Sequence, residues 1–80
     1  MPLEDLLGWL KANPFIPFQV ILSNGTVYEI RQANQMWPGR QSVLIGFPSA
    51  ADPWVYEKHV TVGLLHINNI EPLSTAAQAG

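Results

Sequence analysis

Leucines at helical spacing open the chain. They stand at positions 3, 6, 7 and 10 and form one apolar stripe on a helix with 3.6 residues per turn. Pro2 suits the first turn of such a helix, and Asn13-Pro14 ends it because the residue before a proline avoids helical torsion angles. A helix of about ten residues is unstable alone in water. The sequence therefore predicts that the leucine stripe packs against the rest of the protein.

A strand-like alternation follows the helix. Phe18, Val20 and Leu22 fall on one face of an extended segment, Asn24-Gly25 marks a turn, and residues 26–30 return as a second strand. The pattern predicts a β-hairpin whose apolar face is buried.

The register of this hairpin follows from where Glu29 falls. A two-residue turn places Val20 opposite Glu29 and buries a carboxylate, whereas a three-residue turn over 23–25 keeps Glu29 on the outer face. We therefore predict the three-residue turn, with Gly25 in the left-handed region. The predicted pairs are Phe18 with Ile30, Val20 with Tyr28, and Leu22 with Thr26.

Three further strands complete the predicted fold. Residues 42–47, 54–62 and 67–73 have strand-like patterns, separated by turns at 49–53 and 63–65. Residues 32–41, which include Met36-Trp37-Pro38-Gly39, are predicted to form a polar loop. The small, polar residues 74–80 predict a flexible tail. The sequence thus predicts a single mainly β domain over residues 1–73, with five antiparallel strands after one helix.

Low charge is the unusual feature of the composition. Charged residues make up 12% of the chain and hydrophobic residues 48%, whereas about 25% charged residues is ordinary for a soluble domain. Either amides and hydroxyls cover the surface, or part of the surface is buried against other copies or a partner, and we favour the second explanation. The net charge of −2 and the lack of a basic segment disfavour a large phosphate-binding face.

The absence of cysteine bears on compartment and chemistry. It fits a reducing cytoplasm and excludes thiol nucleophiles and cysteine metal ligands. An acidic start without a following apolar segment does not resemble a secretory signal, and no apolar run approaches the roughly 20 residues of a membrane span. We therefore expect a cytoplasmic protein with no membrane partner.

No motif predicts catalysis. The chain has neither a glycine-rich phosphate loop nor a Gly-x-Ser-x-Gly elbow. Glu57 and His59 stand two residues apart on one predicted strand and supply two possible metal ligands, but no third is apparent. We expect a protein that is not an enzyme and that uses no metal, cofactor or small-molecule substrate.

Three segments resemble the Sm-like family. Val20–Gly25 is similar to the entry of its first motif, and Ile67-Asn68-Asn69-Ile70 to the Asn-Asn-Ile end of its second motif. Val55–His59 resembles the Tyr-Lys-His stretch of bacterial Sm-like RNA chaperones, with Glu57 inserted. The family's Arg-Gly before Asn-Asn-Ile is replaced here by His66-Ile67. The resemblance implies a strongly bent, five-stranded antiparallel barrel that forms rings, of about five to seven subunits, through its outer strands.

A second resemblance covers most of residues 3–73. The segment Leu10–Phe18, with its Pro-Phe-x-Pro-Phe motif, and the Asn-Gly hairpin after it are similar to a group of small uncharacterised bacterial proteins. That likeness implies the same small-barrel architecture and no activity.

Two functions remain open. The first is a non-enzymatic binding or scaffolding module that assembles through strand edges into a homo-oligomer. The alternative is a ring that binds single-stranded RNA. Trp37 is a candidate partner anchor or base-stacking platform, with Arg40 beside it for a phosphate. The resemblance adds the remaining candidates, which are Lys58, His59, Asn68 and Asn69.

Overall fold

The computed structural model describes residues 1–73, and the tail predicted over 74–80 lies outside the described residues. Helix α1 spans Leu3–Leu10, and the strands are β1 Phe18–Leu22, β2 Val27–Ile30, β3 Met36–Pro38, β4 Ser42–Pro48, β5 Tyr56–Gly63 and β6 Ile67–Pro72. Single 3-10 turns at Ala33–Gln35 and Leu64–His66 precede β3 and β6. The predictions of a mainly β fold and an N-terminal helix are confirmed.

Residues 1–73 contain six strands in two antiparallel sheets, and a five-stranded barrel is not seen. One sheet has the order β2-β1-β6 and the other has the order β3-β4-β5. The additional strand is β3, which lies in the predicted loop 32–41. Its residues pair with β4, Met36 with Ile45 and Trp37 with Leu44. Because the residues around β3 are mostly polar, the sequence pattern did not indicate a strand there.

The fourth predicted strand begins two residues late. Asp52 holds the preceding turn, since its carboxylate accepts the Trp54 N–H at 3.0 Å and its carbonyl accepts the Val55 N–H at 2.9 Å. The Val55 carbonyl accepts the Ser49 N–H at 2.7 Å, which closes the turn just beyond the end of the β4–β5 ladder. Strand β5 therefore starts at Tyr56.

The predicted hairpin register is confirmed. Phe18 pairs with Ile30 and Val20 with Tyr28, while the Leu22 N–H donates to the Thr26 carbonyl at 2.8 Å. Gly25 has a backbone φ of 90°, a value that residues with a Cβ atom rarely adopt.

The helix packs against both sheets, close to β3 of the second sheet and to Phe18 of the first, as its short length requires. Leu6 is fully buried, and Trp9, which lies off the leucine stripe, packs its ring 5.4 Å from that of Phe18. The helix and both sheets contribute to one core, which consists of Leu6, Phe18, Val20, Leu22, Ile30, Met36, Val43, Ile45, Val62, Leu64, Ile67 and Ile70.

The chain passes from the second sheet to the first at the 3-10 turn Leu64–His66. The Leu64 N–H donates to the Gln41 carbonyl at 2.8 Å, and the Ser23 N–H donates to the His66 carbonyl at 2.8 Å. Strand β6 can then pair with β1 and leaves β5 as an edge of the second sheet.

Candidate functional site

An aromatic cleft lies on the outer face of the second sheet. It has a volume of about 300 Å³ and is lined by Asn34, Trp37, Leu44, Gly46, Tyr56 and His59. The strand register gathers these residues, because Trp37 pairs with Leu44 and Gly46 pairs with His59. Successive side chains of β4 alternate between the faces, so Val43 and Ile45 enter the core while their neighbours face outward.

Asn34 connects the two aromatic walls of the cleft. Its backbone carbonyl accepts the indole N–H of Trp37 at 3.1 Å, and its side-chain oxygen lies 3.5 Å from the Tyr56 hydroxyl, which donates to it. The Trp37 side chain is 68% exposed. The indole hydrogen bond therefore orients this ring where packing alone would leave it free.

Gly46 forms the floor of the cleft. A methyl group there would overlap the Tyr56 ring, with 2.7 Å to its Cε2 atom. Only glycine lets this ring approach the sheet backbone so closely. The cleft is thus an apolar slot whose lining side chains include no Lys, Arg, Asp or Glu.

Strand β5 supplies the second candidate surface, its free edge. Tyr56, Glu57, Lys58 and His59 are all exposed, although they form half of an eight-residue strand. Glu57 is an extra residue at a bulge, because Lys58 pairs with Phe47 and Tyr56 pairs with Pro48.

The direction of the backbone hydrogen bonds defines this free edge. The Leu64 N–H donates to the Gln41 carbonyl at the start of the β4–β5 ladder. Along an antiparallel pair, every second residue of a strand directs its N–H and C=O toward the partner strand. The N–H groups of Lys58, Val60 and Val62 therefore point toward β4, and those of His59 and Thr61 point away from the sheet. We call the outward N–H and C=O groups of His59 and Thr61 the β5 edge.

A groove of about 460 Å³ runs beneath β5 on the inner side. The β1–β2 hairpin contributes Leu22, Asn24 and Tyr28 to it, and β5 contributes Val60 and Val62. Strand β5 is consequently open to solvent along its edge and over part of both faces.

Only Trp37 and His59 of the six predicted site residues meet, in the aromatic cleft. Lys58 lies on the opposite face from its neighbour His59, with its ammonium 5.4 Å from the centre of the Phe47 ring. Arg40 is exposed beyond β3, in the connection to β4. The sheet thus separates the Lys-His pair that the sequence places side by side.

The two predicted asparagines lie on β6, in the other sheet. Asn68 is exposed at a bulge. The side chain of Asn69 donates to Glu71 at 3.0 Å and accepts the Ile70 N–H at 2.9 Å. It therefore satisfies groups of its own strand.

Sequence reasoning missed four residues of the cleft: Asn34, Leu44, Gly46 and Tyr56. Gly46 carried a usable signal, since a glycine inside a strand often marks a close approach. The others gave none, because their role depends on the pairing of β4 with β3 and with β5.

The described residues offer no metal centre, since no three His, Asp or Glu side chains among them come together. Within the same range, no helix has the length and apolar character needed to cross a membrane. The chain matches no family model, and no curated protein or solved structure is significantly similar to it.

Proposed function

We propose that this protein is a non-enzymatic binding module that assembles with copies of itself through the β5 edge. The observation that carries the proposal is an eight-residue edge strand with four consecutive exposed residues, Tyr56 to His59. Unpaired N–H and C=O groups along such an edge are ready to pair with another strand.

The other sheet edges are better protected than β5. Strand β3 has only three residues and includes Pro38, which has no N–H to donate. Strand β2 has four residues, and β6 ends in Pro72. In β5, the charged side chain of Lys58 lies over the Phe47 ring, so its charge does not stand at the edge where it would oppose pairing with another strand.

Exposed apolar side chains also concentrate near β5. Five of the eight large hydrophobic residues exposed among the described positions belong to the second sheet or to the loop before β5: Trp37, Leu44, Trp54, Val55 and Tyr56. Their clustering fits the low charge of the chain, since a partner that pairs with β5 also covers apolar surface beside it.

The order of elements supports an Sm-like arrangement for this assembly. A helix, a hairpin, three further paired strands, a 3-10 turn and a last strand that returns to β1 follow one another, an order that resembles that family apart from the additional strand β3. In the arrangement we propose, β5 of one copy pairs with the free edge of β6 in the next. Because two different edges meet, the contact is head-to-tail, and by the resemblance we propose that it closes into a ring of about five to seven copies.

Blocking the β5 edge tests the assembly. We expect light scattering to give a mass several times the 8.9 kDa of one chain. The substitution Thr61→Pro removes an N–H that points away from β4, so it should shift the mass toward 8.9 kDa while circular dichroism shows a folded β protein. Thr61→Ala retains the N–H and is the matched control. A mass of 8.9 kDa for the unchanged protein at every concentration contradicts the proposal.

Single-stranded RNA binding is the second candidate function, and the aromatic cleft is the observation that favours it. Trp37, Tyr56 and His59 present ring surfaces on which bases stack. Against it stand the net charge of −2 and the position of Lys58 on the opposite face of the sheet from the cleft.

A titration with short A-rich or U-rich RNA tests this candidate. Trp37→Ala should weaken binding by about 1–3 kcal/mol for one stacked base, whereas Trp54→Ala, which removes a side chain that is 92% exposed and outside the cleft, should not. Each phosphate contact adds about −0.7 to the slope of log affinity against log salt. Lack of any salt-dependent binding by the unchanged protein eliminates this candidate.

A further inference from the structure

The β1–β2 turn contains the pair Asn24-Gly25, both exposed to solvent. In this pair the Gly25 nitrogen has no neighbouring Cβ to hinder its approach to the side-chain carbon of Asn24. Attack of that nitrogen on that carbon is the first step of asparagine deamidation. We propose that Asn24 is a deamidation site whose reactivity is controlled by closure of the hairpin.

The reaction needs only solvent as co-reactant. The Gly25 nitrogen loses its proton to a base in solution and forms a bond to Cγ of Asn24. The bond from Cγ to the side-chain nitrogen breaks, and ammonia leaves after taking up a proton. Water then opens the five-membered ring at either carbonyl and gives an aspartate or an isoaspartate, in which the backbone runs through the former side chain.

Two hydrogen bonds of the closed turn oppose the first step. The Gly25 N–H donates to the Leu22 carbonyl at 2.9 Å, so the attacking nitrogen keeps its proton inside the hairpin. The Asn24 side-chain oxygen accepts the Thr26 N–H at 2.9 Å, which fixes the orientation of the amide. Both bonds must break before the nitrogen reaches Cγ. Deamidation therefore proceeds through the fraction of molecules in which the turn is open.

The two products affect the hairpin differently. An aspartate keeps an oxygen that accepts the Thr26 N–H, so the turn closes again with one more negative charge. An isoaspartate adds a backbone carbon to the three-residue turn and moves the closing pair, Leu22 and Thr26, out of register. Isoaspartate formation thus traps the hairpin in an open form.

Mass spectrometry of the incubated protein tests the proposal. The full chain is held at mildly alkaline pH, once folded and once in urea, and loss of the Asn24 amide is followed by peptide mapping. We expect the folded protein to react at least about tenfold more slowly, which corresponds to an opening free energy of about 1.4 kcal/mol or more. Equal rates, or a faster reaction in the folded protein, overturn the proposal.

Asn34 provides an internal control, because it is exposed and is followed by Gln35 rather than glycine. It should retain its amide in both samples while Asn24 reacts in urea. The variant Asn24→Asp should keep the thermal stability of the unchanged protein, and the purified isoaspartate form should lose it. An isoaspartate form as stable as Asn24→Asp overturns the claim that the product opens the hairpin.

Discussion

Replacing Phe18 with alanine is expected to lower the free energy of unfolding by about 3–5 kcal/mol. The Phe18 side chain is fully buried, with its ring 5.4 Å from that of Trp9 and 5.7 Å from that of Phe15. It starts β1, the central strand that pairs with both β2 and β6. The truncated side chain leaves a cavity where helix and sheet meet.

Urea unfolding followed by circular dichroism measures this loss. Small domains are stable by about 5–15 kcal/mol, so a loss of this size should move the unfolding transition to a much lower urea concentration. The matched control is Ile16→Ala, two residues earlier, where the side chain is 53% exposed. It should cost about 1 kcal/mol, well below the loss for Phe18→Ala, because only about half of the side chain is buried. If the two variants unfold at the same urea concentration, Phe18 is not the packing centre that we describe.

Replacing Gln35 with leucine should cost about 2–4 kcal/mol, although leucine has a similar size. Gln35 is the buried polar residue of the described core, with 5% exposure. Its side-chain oxygen accepts the N–H groups of Arg31 at 2.7 Å and Gln32 at 3.1 Å, and its amide donates to the Gly46 carbonyl at 3.2 Å. Leucine leaves these three backbone groups without the partner that Gln35 gives them.

Gln41→Leu separates this effect from added hydrophobicity, because Gln41 is exposed. We expect its free energy of unfolding to stay within about 0.5 kcal/mol of the unchanged protein. Near-equal denaturation midpoints for the two leucine variants would show that the buried hydrogen bonds of Gln35 contribute little.

Helix α1 and the first hairpin were predictable from the sequence because local physics decides them. The leucine spacing and the proline after the helix act within a few residues. The hairpin register follows from the requirement to keep Glu29 out of the core, and only glycine readily adopts the left-handed torsion at position 25. Each of these constraints involves residues close together in the chain.

The aromatic cleft and the strand β3 were decided by the tertiary structure. Met36-Trp37-Pro38 lies in a polar context that reads as a loop, and it becomes a strand because β4 pairs with it and Gln35 satisfies the backbone around it. The closeness of Trp37, Tyr56 and His59 depends on the registers of two strand pairs and on the missing side chain of Gly46. No local pattern records such pairings.

The positions of the predicted binding residues also depend on the tertiary structure rather than on the local sequence. Lys58 and His59 are neighbours in sequence, but a strand sends consecutive side chains to opposite faces, so one lies over Phe47 and the other enters the cleft. The sequence by itself determined the helix, the β-rich fold class and the hairpin. The tertiary structure alone decided which polar and aromatic side chains come together. The physical reason is that strand pairing sets the distances between residues far apart in the chain, and their spacing in the sequence does not.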